Sequence, residues 1–192
     1  MNSEDFRRIR EQLESYDLKR EELISKSRDL IRLSKKLIYS VHRNDLKEAS
    51  MSFSELRKQF EQFNSLAKRE PELFYSGIFK SGVQEYVEAA CFYSLIVEEK
   101  LPTHEELGVK GEHYLLGVCD LVGELSRKAI NAAAKSDYKT ALKIKDIVSD
   151  IYDELMQFDF PNGELRNKFD GIKYEVKRLE EMGLQLSLKG KN

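Results

Sequence analysis

From Ser3 to Arg43 the sequence holds a helical pattern without a single proline or glycine. A helix of that length far exceeds the globular mean of roughly 11–12 residues, and its apolar stripe is buried only if other long helices lie alongside. The rest of the chain supplies them. Its three prolines, at 71, 102 and 161, all fall where the helical pattern already breaks, so they punctuate helices rather than kink them. A second helix is predicted from the Asn44-Asp45 break to about Arg69, and a third from Pro71, fading at Glu98-Glu99-Lys100. Residues Leu101 to Leu107 form a connector in which Thr103 and Glu106 have capping-box spacing. Further helices are expected from Tyr114 to Lys135, from Ser136 to about Phe158, and from Glu164 to about Leu186. No stretch alternates as a strand for more than a few residues, and no internal repeat is visible. The expectation is an all-α, single-domain bundle of about six to seven helices over residues 1–192.

Within that bundle, Tyr114 to Leu125 is almost wholly apolar yet carries Asp120 and Glu124. Set as a helix, His113, Gly117, Asp120, Glu124 and Asn131 form one polar stripe on an oily cylinder. A buried ionised carboxylate costs several kcal/mol unless a cation or a set of donors answers it, so Asp120 requires a partner, either a metal ion or a basic side chain. The run from Tyr86 to Val97 makes the same demand, with Glu88 as its only charge and Glu85 one turn earlier. Carboxylates facing each other from two core helices are a known way to hold a divalent ion inside a bundle. Taken alone, acidic pairs at these spacings are mostly solvated surface; the apolar flanks here weaken that reading.

A third stripe lies on the first helix, where Arg28, Arg32, Lys35, Tyr39 and His42 follow one another at spacings of four, three, four and three. It reads either as a solvated basic face or as a track for a phosphate backbone with aromatic rings for stacking. The net charge is only -2 with 34% charged residues, so any polyanion site must be local. The apolar stripe Leu165, Phe169, Ile172, Val176, Leu179 and Leu186 of the last helix is core or a partner-helix surface, and is expected to form a subunit interface; a basic tail follows at Lys189 and Lys191. Cys91 and Cys119 sit in apolar runs with no zinc-type spacing, which points to a reducing compartment. No signal-peptide core and no membrane span of roughly 18 apolar residues is evident, which predicts a soluble, cytoplasmic protein with no membrane partner.

Three segments carry a family resemblance: Gln84-Glu-Tyr-Val-Glu-Ala89; Tyr114 to Asn131 with Ser136-Asp-Tyr138; and Leu165 to Glu181. Through them the chain resembles the translin family, and within it the catalytic branch of translin-associated factor X. The resemblance implies a helical bundle of about seven helices and a closed, hollow homo-oligomer, usually an octamer, enclosing single-stranded RNA or DNA. For the catalytic branch it also implies a magnesium-dependent endoribonuclease. Glu85, Glu88 and Asp120 stand where that branch has its acidic residues, with Glu124 beside them. They are the expected catalytic set and, with Glu124 as a fourth, the expected ligands of Mg²⁺ or Mn²⁺. Gly117 is expected to leave room for the ion or the sugar-phosphate. The basic stretch of translin near the start of the third helix is reduced here to Lys80, and Ala134-Lys-Ser-Asp137 gives no warrant for GTP binding.

Three functions compete on these residues. The leading one is a metal-dependent endoribonuclease acting on single-stranded RNA. The second is a non-catalytic binder of single-stranded RNA or DNA, its carboxylates tied up by cations such as Arg28 or Arg127. The third is a helical assembly protein with a relic pocket.

Overall fold

The computed structural model describes residues 2–189, the side chain of Lys189 excepted; the expected basic tail at Lys189 and Lys191 thus lies outside the described side chains. Seven α-helices and no strand are present among the described residues: α1 (Ser3–His42), α2 (Leu46–Lys68), α3 (Pro71–Phe74), α4 (Gly77–Tyr93), α5 (Gly111–Ala134), α6 (Tyr138–Leu155) and α7 (Glu164–Lys189). No helix of the described residues is long and apolar enough to cross a membrane. The third helix expected from Pro71 is two. Pro71 opens only the short α3, and Ser76 starts α4 by accepting a hydrogen bond at Oγ from the Phe79 amide. An N-cap serine one residue before a glycine thus resets the chain where the apolar pattern alone reads as continuous.

The other starts follow the same logic. Asp45 and Asp137 cap α2 and α6 by accepting from the amides of Glu48 and Thr140. Each is preceded by a residue in the left-handed region, Asn44 at φ 58° and Ser136 at φ 62°, which reverses the chain between helices. Asparagine tolerates that conformation; serine has no such advantage. Ser136→Gly is therefore expected to stabilise the protein by about 0.5–1 kcal/mol, read as a higher denaturation midpoint. The connector bears its capping box, with the Thr103 amide donating to Glu106 and the Glu106 amide donating to Thr103 Oγ1.

Helix α1, about 60 Å long at 1.5 Å per residue, is buried only in its second half. Leu23, Leu30, Leu37 and Val41 enter the core against α2 and α4. Before Leu23 the helix is mostly exposed, with Leu18 at 74%. Helix α4 lies at the centre of the molecule, packed on α1, α2 and α5. Phe60 of α2 stacks on Tyr86 at 3.8 Å between ring centroids, and Phe63 on Phe79 at 5.2 Å. The stripe of α7 divides: Phe169, Ile172 and Leu179 are buried inside the chain, Leu179 at 1%, on α5 and α6. That buried part is core, because the Phe160-Gly163 turn folds α7 back along its own bundle, while Leu165, Val176 and Leu186 of the same stripe are only half-buried. Both thiols are buried and free, and burial pushes each up to about 12, which makes them inert hydrophobes.

The closeness of α4 and α5 depends on Gly117. A Cβ there would stand 2.6 Å from Val87 Cβ and 3.0 Å from the Gln84 carbonyl oxygen. The space expected for an ion or a sugar is filled by Val87. What the glycine does is let two helices touch, and both of them carry the acidic residues.

Candidate functional site

Glu85 and Glu88, three residues apart on α4, share a face. That face meets α1 and α5 around a cleft of about 410 Å³ lined by Lys35, Ile38, Tyr39, Glu85, Glu88, Glu124 and Arg127. Two stripes that are distant in sequence thus converge: part of the basic track and part of the acidic set form opposite walls of one cleft.

The four carboxylates are in different electrostatic states. Glu88 is largely buried, and desolvation, reinforced by the negative charges of Asp120, Glu85 and Glu124, pushes its carboxyl up to about 8. Glu85 is also raised by burial, an effect that Lys35 opposes. Among the described residues neither glutamate forms an ion pair. Glu124 is the reverse case: His42 Nε2 lies 2.5 Å from its Oε2, Arg127 lies at 3.5 Å, and its carboxyl is held below the ordinary range, first by the His42 hydrogen bond. Asp120 has the partner it required, and that partner is a basic side chain. Lys168 Nζ, from α7, lies 2.5 Å from Oδ1 and 2.6 Å from Oδ2.

The expected nucleic-acid residues divide as well. Arg28, Arg32, Lys35 and Tyr39 are exposed, Arg32 pairing with Asp29 at 3.0 Å and Arg43 lying over the Tyr39 ring. His42 does not belong to that exposed track. Its side chain is 7% exposed, bonded to Glu124 and tilted against Phe92, because α5 covers this end of α1. Lys128, also on α5, fastens the same end by donating to the Val41 carbonyl oxygen and to Asn44 Oδ1. Lys80 is engaged too, bridging α4 to α7 through Glu164 at 2.9 Å. Lys168 was not singled out from the sequence. On a helix with many charges its only local signal is a position one turn after Glu164, and that does not reveal a partner on α5.

All donors here are carboxylate oxygens, the chemistry that suits Mg²⁺ or Mn²⁺, and the ammonium of Lys168 stands at Asp120 in the place of a cation. Among the described residues no three acidic or other ligating side chains are grouped closely enough to hold a metal ion together. The donor set therefore fits a hard divalent ion in kind, while the side chains are arranged around a lysine.

Comparison with known proteins gives a consistent result. The Translin family matches residues 18–190. An uncharacterized protein of Methanocaldococcus jannaschii is 33% identical, covering 82% of this chain and 72% of that protein. Translin of Gallus gallus is 28% identical over 76% of this chain and 69% of its own. Translin-associated protein X of Pongo abelii is 26% identical over 96% of this chain and 78% of its own. Among solved structures, apo-NeC3PO superposes with a TM-score of 0.87 at 31% identity, covering 94% of this chain and 96% of that one. A complex of AfC3PO with duplex RNA gives a TM-score of 0.89 at 26% identity, covering 98% and 99%.

Proposed function

The chain belongs to the translin family, and from that premise we propose that it is an RNA-binding protein that assembles into a closed oligomer, an octamer in the leading reading, and cleaves RNA with Mg²⁺ or Mn²⁺ at the α1–α4–α5 cleft. The observation that carries the proposal is the pair Glu85 and Glu88: two carboxylates, at least half-buried and without an ion pair among the described residues, opposite Lys35 and Tyr39. Burial of that kind is costly and has no structural return unless a cation arrives. The structural likeness to a protein solved with duplex RNA supports RNA as the ligand.

Each side chain has a distinct task in this reading. Lys35, Arg32 and Arg28 neutralise successive phosphates along α1, and Tyr39 offers a ring to a base. Glu85, Glu88 and Asp120, with Glu124, would supply carboxylate oxygens to the ion, drawing together around it from the separated positions they hold in the free protein. At neutral pH the raised Glu88 carboxyl carries its proton in the metal-free protein and releases it when positive charge enters. His42 and Arg127 both engage Glu124 at Oε2, so its orientation is set before any ligand binds. When bound, the divalent ion supplies charge neutralisation at the scissile phosphate and a more acidic water, so no cysteine or histidine nucleophile is needed.

The test is incubation of the full chain with end-labelled single-stranded and duplex RNA in Mg²⁺, in Mn²⁺ and in excess EDTA. Metal-dependent cutting is expected. A second reading, a translin-like binder of single-stranded RNA or DNA that does not cut, is favoured by one observation: Asp120 is already satisfied by Lys168. Binding without cleavage in either metal would establish it.

The basic track has its own test. Neutralising Arg28, Arg32 and Lys35 together is expected to reduce the slope of log affinity against log salt by about two to three units, since fewer counterions are released. An unchanged slope would return these residues to the solvated surface.

A further inference from the structure

We propose that Lys168 is a resident counter-cation of Asp120, which it holds in the metal-free protein, and that it must leave both oxygens for a divalent ion to load. The inference rests on the metal-dependent reading above. One ammonium straddles Oδ1 at 2.5 Å and Oδ2 at 2.6 Å, so a metal ion and Lys168 cannot use Asp120 fully at the same time. The pair is partly shielded from water, with side-chain exposures of 26% for Lys168 and 32% for Asp120. It is therefore screened less than a surface pair. The charge of Lys168 also reaches Glu85 and Glu88. Its influence thus extends to the two α4 glutamates, whereas Glu124 is answered by His42 and Arg127.

The backbone around Lys168 is held by its neighbours. One turn earlier Glu164 is tied to Lys80 on α4, and the next residue, Phe169, is buried against Tyr152 and Phe160. Helix α7 is pinned on both sides of Lys168. The four-carbon stem can still carry the ammonium away by a change of rotamer, a motion that leaves the packing untouched. Lys168 thereby spares the free protein an uncompensated carboxylate, and it raises the metal concentration needed to load the site. It is a positioning residue, since it acts through Asp120.

Two measurements on the full-length protein test this. The first is acetylation of lysines by an amine-reactive acetyl ester at fixed pH, read by peptide mass spectrometry with and without saturating Mn²⁺. Lys168 should react at least about threefold faster once Mn²⁺ frees it, while Lys143, paired with Glu99 on the surface, should not change. The second is Mn²⁺ affinity, measured by electron paramagnetic resonance of the free ion. Lys168→Met should bind Mn²⁺ about tenfold more tightly than wild type, because a competitor is gone. Unchanged or weaker binding by Lys168→Met, or a Lys168 whose reactivity does not respond to Mn²⁺, overturns the proposal and leaves the metal reading standing. Failure of both wild type and Lys168→Met to bind Mn²⁺ overturns the metal reading together with it.

Discussion

Replacing Glu88 with glutamine should abolish metal-dependent RNA cleavage and at the same time make the protein more stable at pH 8. The two effects have one cause. The Glu88 carboxyl is pushed from an ordinary 4.5 up to about 8 by desolvation and by three neighbouring carboxylates. A folded state that binds a proton more tightly than the unfolded chain loses stability as pH rises between the two values. The cost of Glu88 is therefore absent below about pH 4.5, grows through neutrality and is complete above about pH 8. Glutamine keeps the shape and removes the charge, so the gain at pH 8 should be on the order of 2 kcal/mol after allowing for residual solvent contact, a rise of roughly 4–8 °C in Tm. Wild-type Tm should fall with pH across this window, and the E88Q profile should be flatter. Cleavage should drop by at least about a thousandfold, since the lost carboxylate is a ligand and not a peripheral charge. Cutting that persists in E88Q and in excess EDTA would remove Glu88 from the chemistry, and equal pH profiles would refute the electrostatic assignment.

Gly117→Ala should be damaging in a different way. Its Cβ would press on Val87 Cβ from 2.6 Å and on the Gln84 carbonyl oxygen from 3.0 Å, and a backbone oxygen has no rotamer to escape into. The helices must separate, at a cost of about 2–4 kcal/mol. Because α4 carries Glu85 and Glu88 while α5 carries Asp120 and Glu124, that displacement also spreads the acidic set, and a shift of about 1 Å is enough to reduce cleavage by roughly a hundredfold. Adding Val87→Ala removes the Cγ1 that would also stand at 2.6 Å but leaves Val87 Cβ and the Gln84 oxygen, so it should restore only a minor part of both losses, a coupling that a double-mutant cycle of denaturation midpoints and cleavage rates will measure. A G117A protein as stable as wild type would show that the contact is relieved more easily than the packing implies.

Helices, their order and most of their ends were legible in the sequence because they depend on local chemistry. The apolar stripe of α1, the reversals at Asn44-Asp45 and Ser136-Asp137, and the capping box at Thr103 and Glu106 all act within a few residues. The missed break at Ser76 is also local; an apolar pattern running across it concealed the cap. The demand for a cation at Asp120 was legible as well, since a charge in an apolar helix is costly wherever the helix lies.

What answers that demand is a tertiary fact. Lys168 is 48 residues away from Asp120, and its pairing exists only because the turn at Phe160-Gly163 lays α7 against α5. His42 shares the period of Arg28, Arg32 and Lys35, so periodicity placed it on the basic track. Helix α5 covers that end of α1 and makes it a buried partner of Glu124 instead. The stripe of α7 could not declare whether its cover was a second subunit or its own chain, because apolar periodicity records that a face is buried and not by what. The sequence by itself therefore determined which faces are oily and which charges need partners, both of them properties of single helices. The tertiary structure alone decided who the partners are, because ion pairing and close packing depend on distances between helices that no spacing within one helix contains.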